Sequence, residues 1–121
     1  MSGTRALTII HNEDNETVVT ILRFFDGYPR GHGLDLAKFL CTPGILREMG
    51  ILAIDLITHL RRKKHLGGLE IITPLLILIP KHDYEYHIYP DKIIIKDTEL
   101  HYPIFAGPWE ELKYFCKHFE G

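Results

Sequence analysis

The segment from Arg23 to Gly33 forces the chain to change from strand to helix, and it reads Arg-Phe-Phe-Asp-Gly-Tyr-Pro-Arg-Gly-His-Gly. It follows a stretch of β-branched and aromatic residues, turns at Gly27 and Pro29, and leads into a helical pattern that starts near Leu34. Its glycines relax the backbone restrictions, so the loop can present its amide groups. The sequence therefore predicts a strand, a tight glycine-rich loop and a helix in direct succession.

A loop that ends in a helix N-terminus suits an anion, because the free amides of the first helical turn carry partial positive charge. Arginine and histidine side chains add donors, and the aromatic rings beside them favour a nucleotide or another anionic ring compound. The expected ligand contacts in the loop are Arg23, Asp26, Tyr28, Arg30, Gly31, His32 and Gly33. An equally weighted alternative is that the glycines and Pro29 form only a turn and a helix cap.

Hydrophobic periodicity along the chain predicts one domain, residues 1–121, of the α+β class. Its expected architecture is an antiparallel sheet with two central helices on one face and a C-terminal helix. The expected strands are 5–11, 17–25, 69–73, 75–79, 84–89, 92–96 and an edge strand at 100–105. The expected helices are 34–41, 46–64, in which Gly50 is a candidate interruption, and 109–119.

The charge balance excludes a general nucleic-acid coat, since 14 Lys and Arg against 16 Asp and Glu give a formal charge of −2. The two cysteines form no disulfide framework, which points to a reducing compartment. The N-terminus lacks the apolar core of a signal peptide, and no apolar run approaches the length of a membrane span. We therefore expect a cytoplasmic protein with no membrane partner.

Two further groups of residues are candidates for ligand binding. The second helix carries His59 and Arg62 on one stripe, and Arg61 begins a basic run at its C-terminal end. The helix dipole favours cations at a helix C-terminus even where they have no function. The commoner interpretation of these residues is therefore a solvent-exposed face of the helix. On the strand 84–89, Tyr84 and Tyr86 share one face and can stack on a base, or they belong to the core or to an interface.

Specific catalytic and metal-binding motifs are absent from the sequence. The eight histidines lack metal-ligand spacing, and His82 and His87 are expected on opposite faces of a regular strand. Neither a nucleophile elbow nor a phosphate-binding loop motif occurs. Asp26 and His32, as base and acid in phosphodiester cleavage, are the one enzymatic alternative. We therefore predict no metal, no cofactor and no enzymatic activity.

The loop motif also resembles a family of small proteins encoded by bacteriophages and prophages. Members share a strand that ends in Asp-Gly-Tyr-Pro, matched here by 23–29, and then a glycine pair, matched by Gly31-His32-Gly33. A pattern in their second helix is matched by 52–60, and their later Gly-Gly and Tyr-Glu-Tyr elements are matched by 67–68 and 84–86. The resemblance covers roughly residues 18–96, about two-thirds of the chain.

In size and layout these proteins are similar to phage anti-defence sponges, including those of the Thoeris system, which sequester nucleotide second messengers of bacterial immunity. The resemblance implies a non-enzymatic protein that captures a cyclic nucleotide or a cyclic ADP-ribose-type signal at a homo-oligomer interface. A nucleotide-cleaving enzyme and a protein–protein inhibitor of host defence remain the alternatives.

The resemblance implies a ligand pocket between protomers, in which the arginines and tyrosines have expected roles. Arg23 and Arg30 are expected to neutralise phosphates. The base is expected to lie between Tyr28 and one of the tyrosines at 84 and 86, with an arginine at 61 or 62 completing the pocket from a neighbouring subunit.

Overall fold

The computed structural model describes residues 3–62, 68–73 and 79–120. The strands are β1 (Ala6–His11), β2 (Thr17–Arg23), β3 (Leu69–Ile72), β4 (Tyr84–Ile88), β5 (Ile93–Asp97) and β6 (Pro103–Gly107). The helices are α1 (Leu34–Leu40), α2 (Met49–Arg61) and α3 (Leu112–Lys117). A π-helical turn at Pro29–Gly33 precedes α1, and a 3₁₀ turn at Trp109–Glu111 precedes α3.

The strands form one sheet in the order β3-β2-β1-β4-β5-β6. All pairs are antiparallel except β1 and β4, which are parallel, with Ala6 opposite Tyr84 and Ile10 opposite Ile88. The prediction of an α+β fold with a C-terminal helix is confirmed, whereas the prediction of a wholly antiparallel sheet is wrong at this pair. A parallel pair needs a long crossover, and here the chain between β1 and β4 includes α1 and α2.

One hydrophobic core contains residues from the sheet and from all three helices. Alternate strand residues enter it, such as Ala6 and Ile10 from β1 and Ile88 from β4, because successive strand side chains point to opposite faces. The helices contribute apolar residues at helical spacing: Leu52, Leu56 and Leu60 from α2, and Leu112 and Cys116 from α3. Full burial of one such leucine stabilises the fold by about 1.5–3 kcal/mol.

Helix α2 begins at Met49 rather than at the predicted residue 46 because Glu48 caps it. The Glu48 carboxylate accepts hydrogen bonds from the amides of Gly50 (3.3 Å) and Ile51 (2.6 Å). Gly50 therefore lies in the first turn, where it does not interrupt the helix. The predicted last residues of this helix, 63 and 64, lie outside the described residues, as does most of the predicted strand 75–79.

The remaining boundaries differ from the predictions by at most three residues. The edge strand β6 starts at Pro103 rather than at 100, because a turn closed by the Leu100 amide on the Asp97 carbonyl precedes it (3.0 Å). The C-terminal helix ends at Lys117, two residues before the predicted end. In the described part of the chain, no helix has the length and apolar character needed to cross a lipid bilayer.

Candidate functional site

Arg23 ends β2 with its side chain inside the protein, where only 4% of the residue is exposed. Its guanidinium donates to Asp35 Oδ2 (2.7 Å), to the carbonyl oxygen of Phe25 (2.7 Å) and to His32 Nδ1 (3.1 Å). Asp35 lies in the first turn of α1, so this ion pair joins β2 to α1 directly. A buried cation requires such partners, because an unpaired charge inside a protein is very costly.

His32 is fully buried beside Arg23 and uses both ring nitrogens. Because Arg23 can only donate, Nδ1 accepts, and Nε2–H donates to the hydroxyl oxygen of Thr8 (2.6 Å). The ring edge also packs against Tyr86, with centroids 4.9 Å apart. Burial, reinforced by the Arg23 charge, lowers the pKa of His32 to about 3, so the imidazole is neutral at physiological pH. We call Arg23, His32, Asp35 and Thr8 the buried arginine cluster.

Two of the loop amides expected to bind an anion already have partners within the loop. The Gly31 amide donates to the carbonyl oxygen of Tyr28, and the His32 amide donates to that of Asp26, both at 2.9 Å. Asp26 adopts a left-handed backbone conformation with φ of 57°, which aspartate tolerates better than most residues. These contacts close the loop on itself.

The glycines at 31 and 33 are needed for close packing. A Cβ on Gly31 would lie 2.5 Å from the carbonyl oxygen of Asp26, and one on Gly33 would lie 2.5 Å from Cys116 Sγ. Both distances are too short for a carbon contact, so a side chain at either position displaces its neighbour. The glycine pattern therefore has a structural explanation that requires no ligand.

Tyr84 and Tyr86 belong to the core, which is one of the alternatives to stacking on a base. Tyr86 is fully buried and its hydroxyl donates to the carbonyl oxygen of Gly27 (2.6 Å). Tyr84 is 9% exposed and packs edge-on against Phe119, with centroids 6.3 Å apart. Tyr86 therefore has no exposed ring face for a base, whereas Tyr84 also lines a small surface pocket, so stacking of a base between Tyr28 and Tyr84 stays a prediction.

The other predicted contacts lie nearer the surface. Arg30 is exposed on the π-helical turn, and Tyr28 before it is half-buried. Arg61 and Arg62 are exposed at the C-terminal end of α2, while half-buried His59 packs against Phe39, with ring centroids 5.4 Å apart. The structure thus brings Arg23, Asp26, Gly31, His32 and Gly33 together in the loop region, whereas the arginines at 30, 61 and 62 are exposed at the surface.

Sequence reasoning missed the residues that complete these networks. Asp35 and Thr8 belong to no recognisable sequence motif. Their contacts with Arg23 and His32 form only in the folded chain, so no local pattern could have identified them. His82 precedes β4 rather than lying in it, so the prediction that His82 and His87 face opposite sides is wrong; both rings contact the carboxylate of Glu85. Among the described residues, no group of three or more His, Cys, Asp or Glu side chains is arranged to hold a metal ion.

No protein-family model matches this chain, and no curated protein or solved structure is significantly similar to it. Any assignment of function therefore depends on the residues themselves. Of the predicted contacts at the loop, Arg30 is exposed and Tyr28 and Asp26 are half-buried.

Proposed function

We propose that this protein is a non-enzymatic binding protein that sequesters a cyclic nucleotide or cyclic ADP-ribose-type signal. The observation that carries the proposal is the enclosure of His32, the one histidine of the loop motif. Both of its ring nitrogens have protein partners, and its low pKa keeps it neutral. A general acid must reach its substrate and exchange a proton near neutral pH, so this arrangement favours binding over cleavage by Asp26 and His32.

The ligand surface in this proposal is the outer side of the loop. Arg30 supplies a charge to a phosphate, and Tyr28 supplies an aromatic edge next to it. Arg23 acts indirectly, because the buried arginine cluster fixes the backbone from which Arg30 projects. The proposal also takes both central helices to lie on one face of the sheet.

A small chain encloses a ligand more completely when two copies form the pocket, so we propose a homo-oligomer in the host cytoplasm. In this assembly Arg61 or Arg62 of a neighbouring protomer approaches the Arg30 surface. The exposed position of both arginines at the end of α2 is compatible with such a contact. A phosphate held by two arginines gains charge-assisted hydrogen bonds from both.

Isothermal titration calorimetry with cyclic ADP-ribose isomers and cyclic oligonucleotides tests this proposal. We expect one compound of the panel to bind, and Arg30→Ala to weaken its affinity by at least about tenfold, since a hydrogen bond to a charged group contributes roughly 1.5–3 kcal/mol. Lys113→Ala, which removes an exposed cation from α3, is the matched control and should bind like the unaltered protein.

Chromatography of the same samples after incubation separates binding from turnover. The proposal predicts that the ligand is recovered intact. Appearance of a linear product would instead support the cleavage alternative. A panel without any binding heat would contradict the proposal and favour a protein–protein inhibitor.

A further inference from the structure

A second candidate site lies between the last strand and the C-terminal helix. Side chains from β6, from the 3₁₀ turn before α3, from α3 and from the residues after it line an open groove of about 710 Å³. We call it the aromatic–acidic groove, after the rings of Phe105, Phe115 and Phe119 and the carboxylates of Glu110, Glu111 and Glu120 that line it. Its volume is within the range of small-molecule sites, roughly 300–1,000 Å³.

The three phenylalanine rings of the groove form a continuous aromatic surface. The ring centroid of Phe115 lies 4.9 Å from that of Phe105 and 5.8 Å from that of Phe119. All three residues are half-buried, so they pack against the core and remain partly accessible. Tyr114, which also lines the groove, is 73% exposed. The faces of such rings carry partial negative charge and attract cations.

Glu111 places a carboxylate beside Phe105 at one end of this surface. A Cβ on Gly107 would lie 2.9 Å from Glu111 Oε2 and 3.2 Å from Phe105 Cζ, so the carboxylate and the ring are neighbours over the glycine backbone. Glu111 is exposed, and its carboxylate has no hydrogen-bond or ion-pair partner among the described residues. A free carboxylate next to an aromatic ring is complementary to a cation that also has apolar surface.

The protein itself places an arginine on the neighbouring pair of groups. The guanidinium carbon of Arg47 lies 4.0 Å from the centroid of the Trp109 ring, and Arg47 Nη2 is 3.5 Å from Glu110 Oε1. Trp109 and Glu110 thus hold a guanidinium through an aromatic ring and a carboxylate. Phe105 and Glu111 offer the same two groups without a cation from the described part of the chain.

The basic residues of α3 lie on a different side of the helix from the groove. Lys113 and Lys117 are exposed, and neither is among the residues that line the groove. Phe115 is two residues from each of them, which is about 200° around an α-helix. The titratable groups that line the groove are three carboxylates, one tyrosine and one histidine, so the groove favours a cation.

We propose that the aromatic–acidic groove binds a small organic cation, a guanidinium group on an apolar stem. The guanidinium stacks on the Phe105 ring and donates to the Glu111 carboxylate, in the way that the Arg47 side chain uses the neighbouring pair. The stem lies on the other two phenylalanine rings. This site does not depend on the proposed nucleotide function, because no residue of the loop 23–33 is among those that line it.

N-butylguanidinium and N-butylurea test the role of charge, because they have nearly the same shape and only the first is a cation. Titrations of the unaltered protein are followed by nuclear magnetic resonance. We expect butylguanidinium to bind about tenfold more tightly, the combined effect of one exposed cation–aromatic contact and one exposed carboxylate contact. The shifts should centre on the amides of Phe105, Glu111 and Phe115. Equal affinities for the two compounds would overturn the proposal.

Substitutions locate the site. Glu111→Gln keeps the size of the side chain but removes its charge, so the preference for butylguanidinium over butylurea should fall to about threefold. Phe105→Leu, which removes the ring face, should lower the preference to a similar extent. Glu13→Gln, at an exposed position between β1 and β2, is the matched control and should keep the full preference, as should Arg30→Ala. An unchanged preference in the Glu111→Gln protein would overturn the site, and this exposed position does not put folding at risk.

Other occupants of the groove would give different results. The blocked peptide acetyl-Gly-Arg-Gly-amide should bind no more tightly than butylguanidinium. Binding more than about tenfold tighter would identify an arginine of a partner polypeptide as the occupant and overturn the small-molecule assignment. Sedimentation of the unaltered and Glu111→Gln proteins should be the same. A dimer that Glu111→Gln dissociates would identify a second copy of this chain as the occupant and would also overturn the proposal.

Discussion

Replacement of Arg23 by methionine separates a structural loop from an anion-binding loop. Methionine has a similar length but no charge, so Arg23→Met removes the hydrogen bonds that the guanidinium donates to Asp35, to the Phe25 carbonyl oxygen and to His32 Nδ1. Removal of one partner of a buried ion pair costs about 3–5 kcal/mol. The Asp35 side chain is 13% exposed, so solvent still reaches its charge. We therefore expect a loss of stability at the lower end of this range, about 3 kcal/mol.

Urea unfolding followed by circular dichroism measures this change. Domains of this class have stabilities of about 5–15 kcal/mol, and the urea dependence is about 1–3 kcal/mol per M. The unfolding midpoint of Arg23→Met should therefore fall by about 1–3 M. Arg30→Met, at an exposed position of the same loop, should stay within about 0.5 kcal/mol of the unaltered protein.

A double variant tests the mechanism of this loss. Adding Asp35→Leu to Arg23→Met removes the largely buried carboxylate that no longer has the Arg23 charge beside it, so part of the stability should return. The reasoning is refuted if Arg23→Met unfolds at the same urea concentration as the unaltered protein. If the same variant then also fails to bind the nucleotide ligand, Arg23 contacts the ligand and the anion-binding interpretation is correct.

Three further changes follow from the same structure. The pKa of His32 is about 3 in the folded protein and about 6.5 in the unfolded chain. The unfolded state therefore gains a proton first as the pH falls, and the stability of the fold decreases below pH 6.5. His32→Gln removes this titration, so its urea midpoint should depend less on pH between pH 6.5 and 5 than that of the unaltered protein. The hydrogen bond to Glu85 raises the pKa of His82. Protonated His82 therefore stabilises the fold below about pH 6.5, and this contribution is lost as the pH rises through the pKa of His82 in the folded protein. His82→Gln should lower the free energy of unfolding more at pH 6 than at pH 9. Gly33→Ala should destabilise by about 1–3 kcal/mol because the new methyl group meets Cys116 Sγ, and Cys116→Ala should restore part of the loss in the double variant.

Matched substitutions decide these three cases. His101→Gln changes an exposed histidine and should alter neither pH profile. Gly3→Ala adds a methyl group where no atom lies within 4 Å and should leave the unfolding midpoint unchanged. A His32→Gln profile as steep as that of the unaltered protein, or equal His82→Gln losses at both pH values, would contradict the proton assignments. A Gly33→Ala protein of full stability would contradict the close packing at Cys116.

Local sequence signals predicted most of the secondary structure. The hairpin of β1 and β2 follows from two β-branched stretches separated by polar residues, and the β4–β5 turn at Pro90-Asp91 follows from proline and aspartate chemistry. The C-terminal helix follows from Trp109, Leu112 and Cys116 at helical spacing. These signals need only neighbours in the sequence, which is why they were readable without a structure.

Contacts between distant segments were not readable in the same way. The parallel pairing of β1 with β4 brings His11 to His87 across 76 positions of sequence, and no local pattern encodes that register. The loop motif illustrates a second limit. Glycine at 31 and 33 suits an anion site and a tightly packed turn equally well. Only the folded structure shows that Asp26 lies against the backbone of Gly31 and that Cys116 lies against that of Gly33.

The most direct test of the central claim is the identity of the small molecule carried by the protein. The protein is purified from cells with an active nucleotide-based immune response, denatured, and the released compound is identified by mass spectrometry. The account predicts an intact cyclic nucleotide or cyclic ADP-ribose-type compound, and much less of it from the Arg30→Ala protein. A linear cleavage product, or a protein that carries no nucleotide under these conditions, would contradict it.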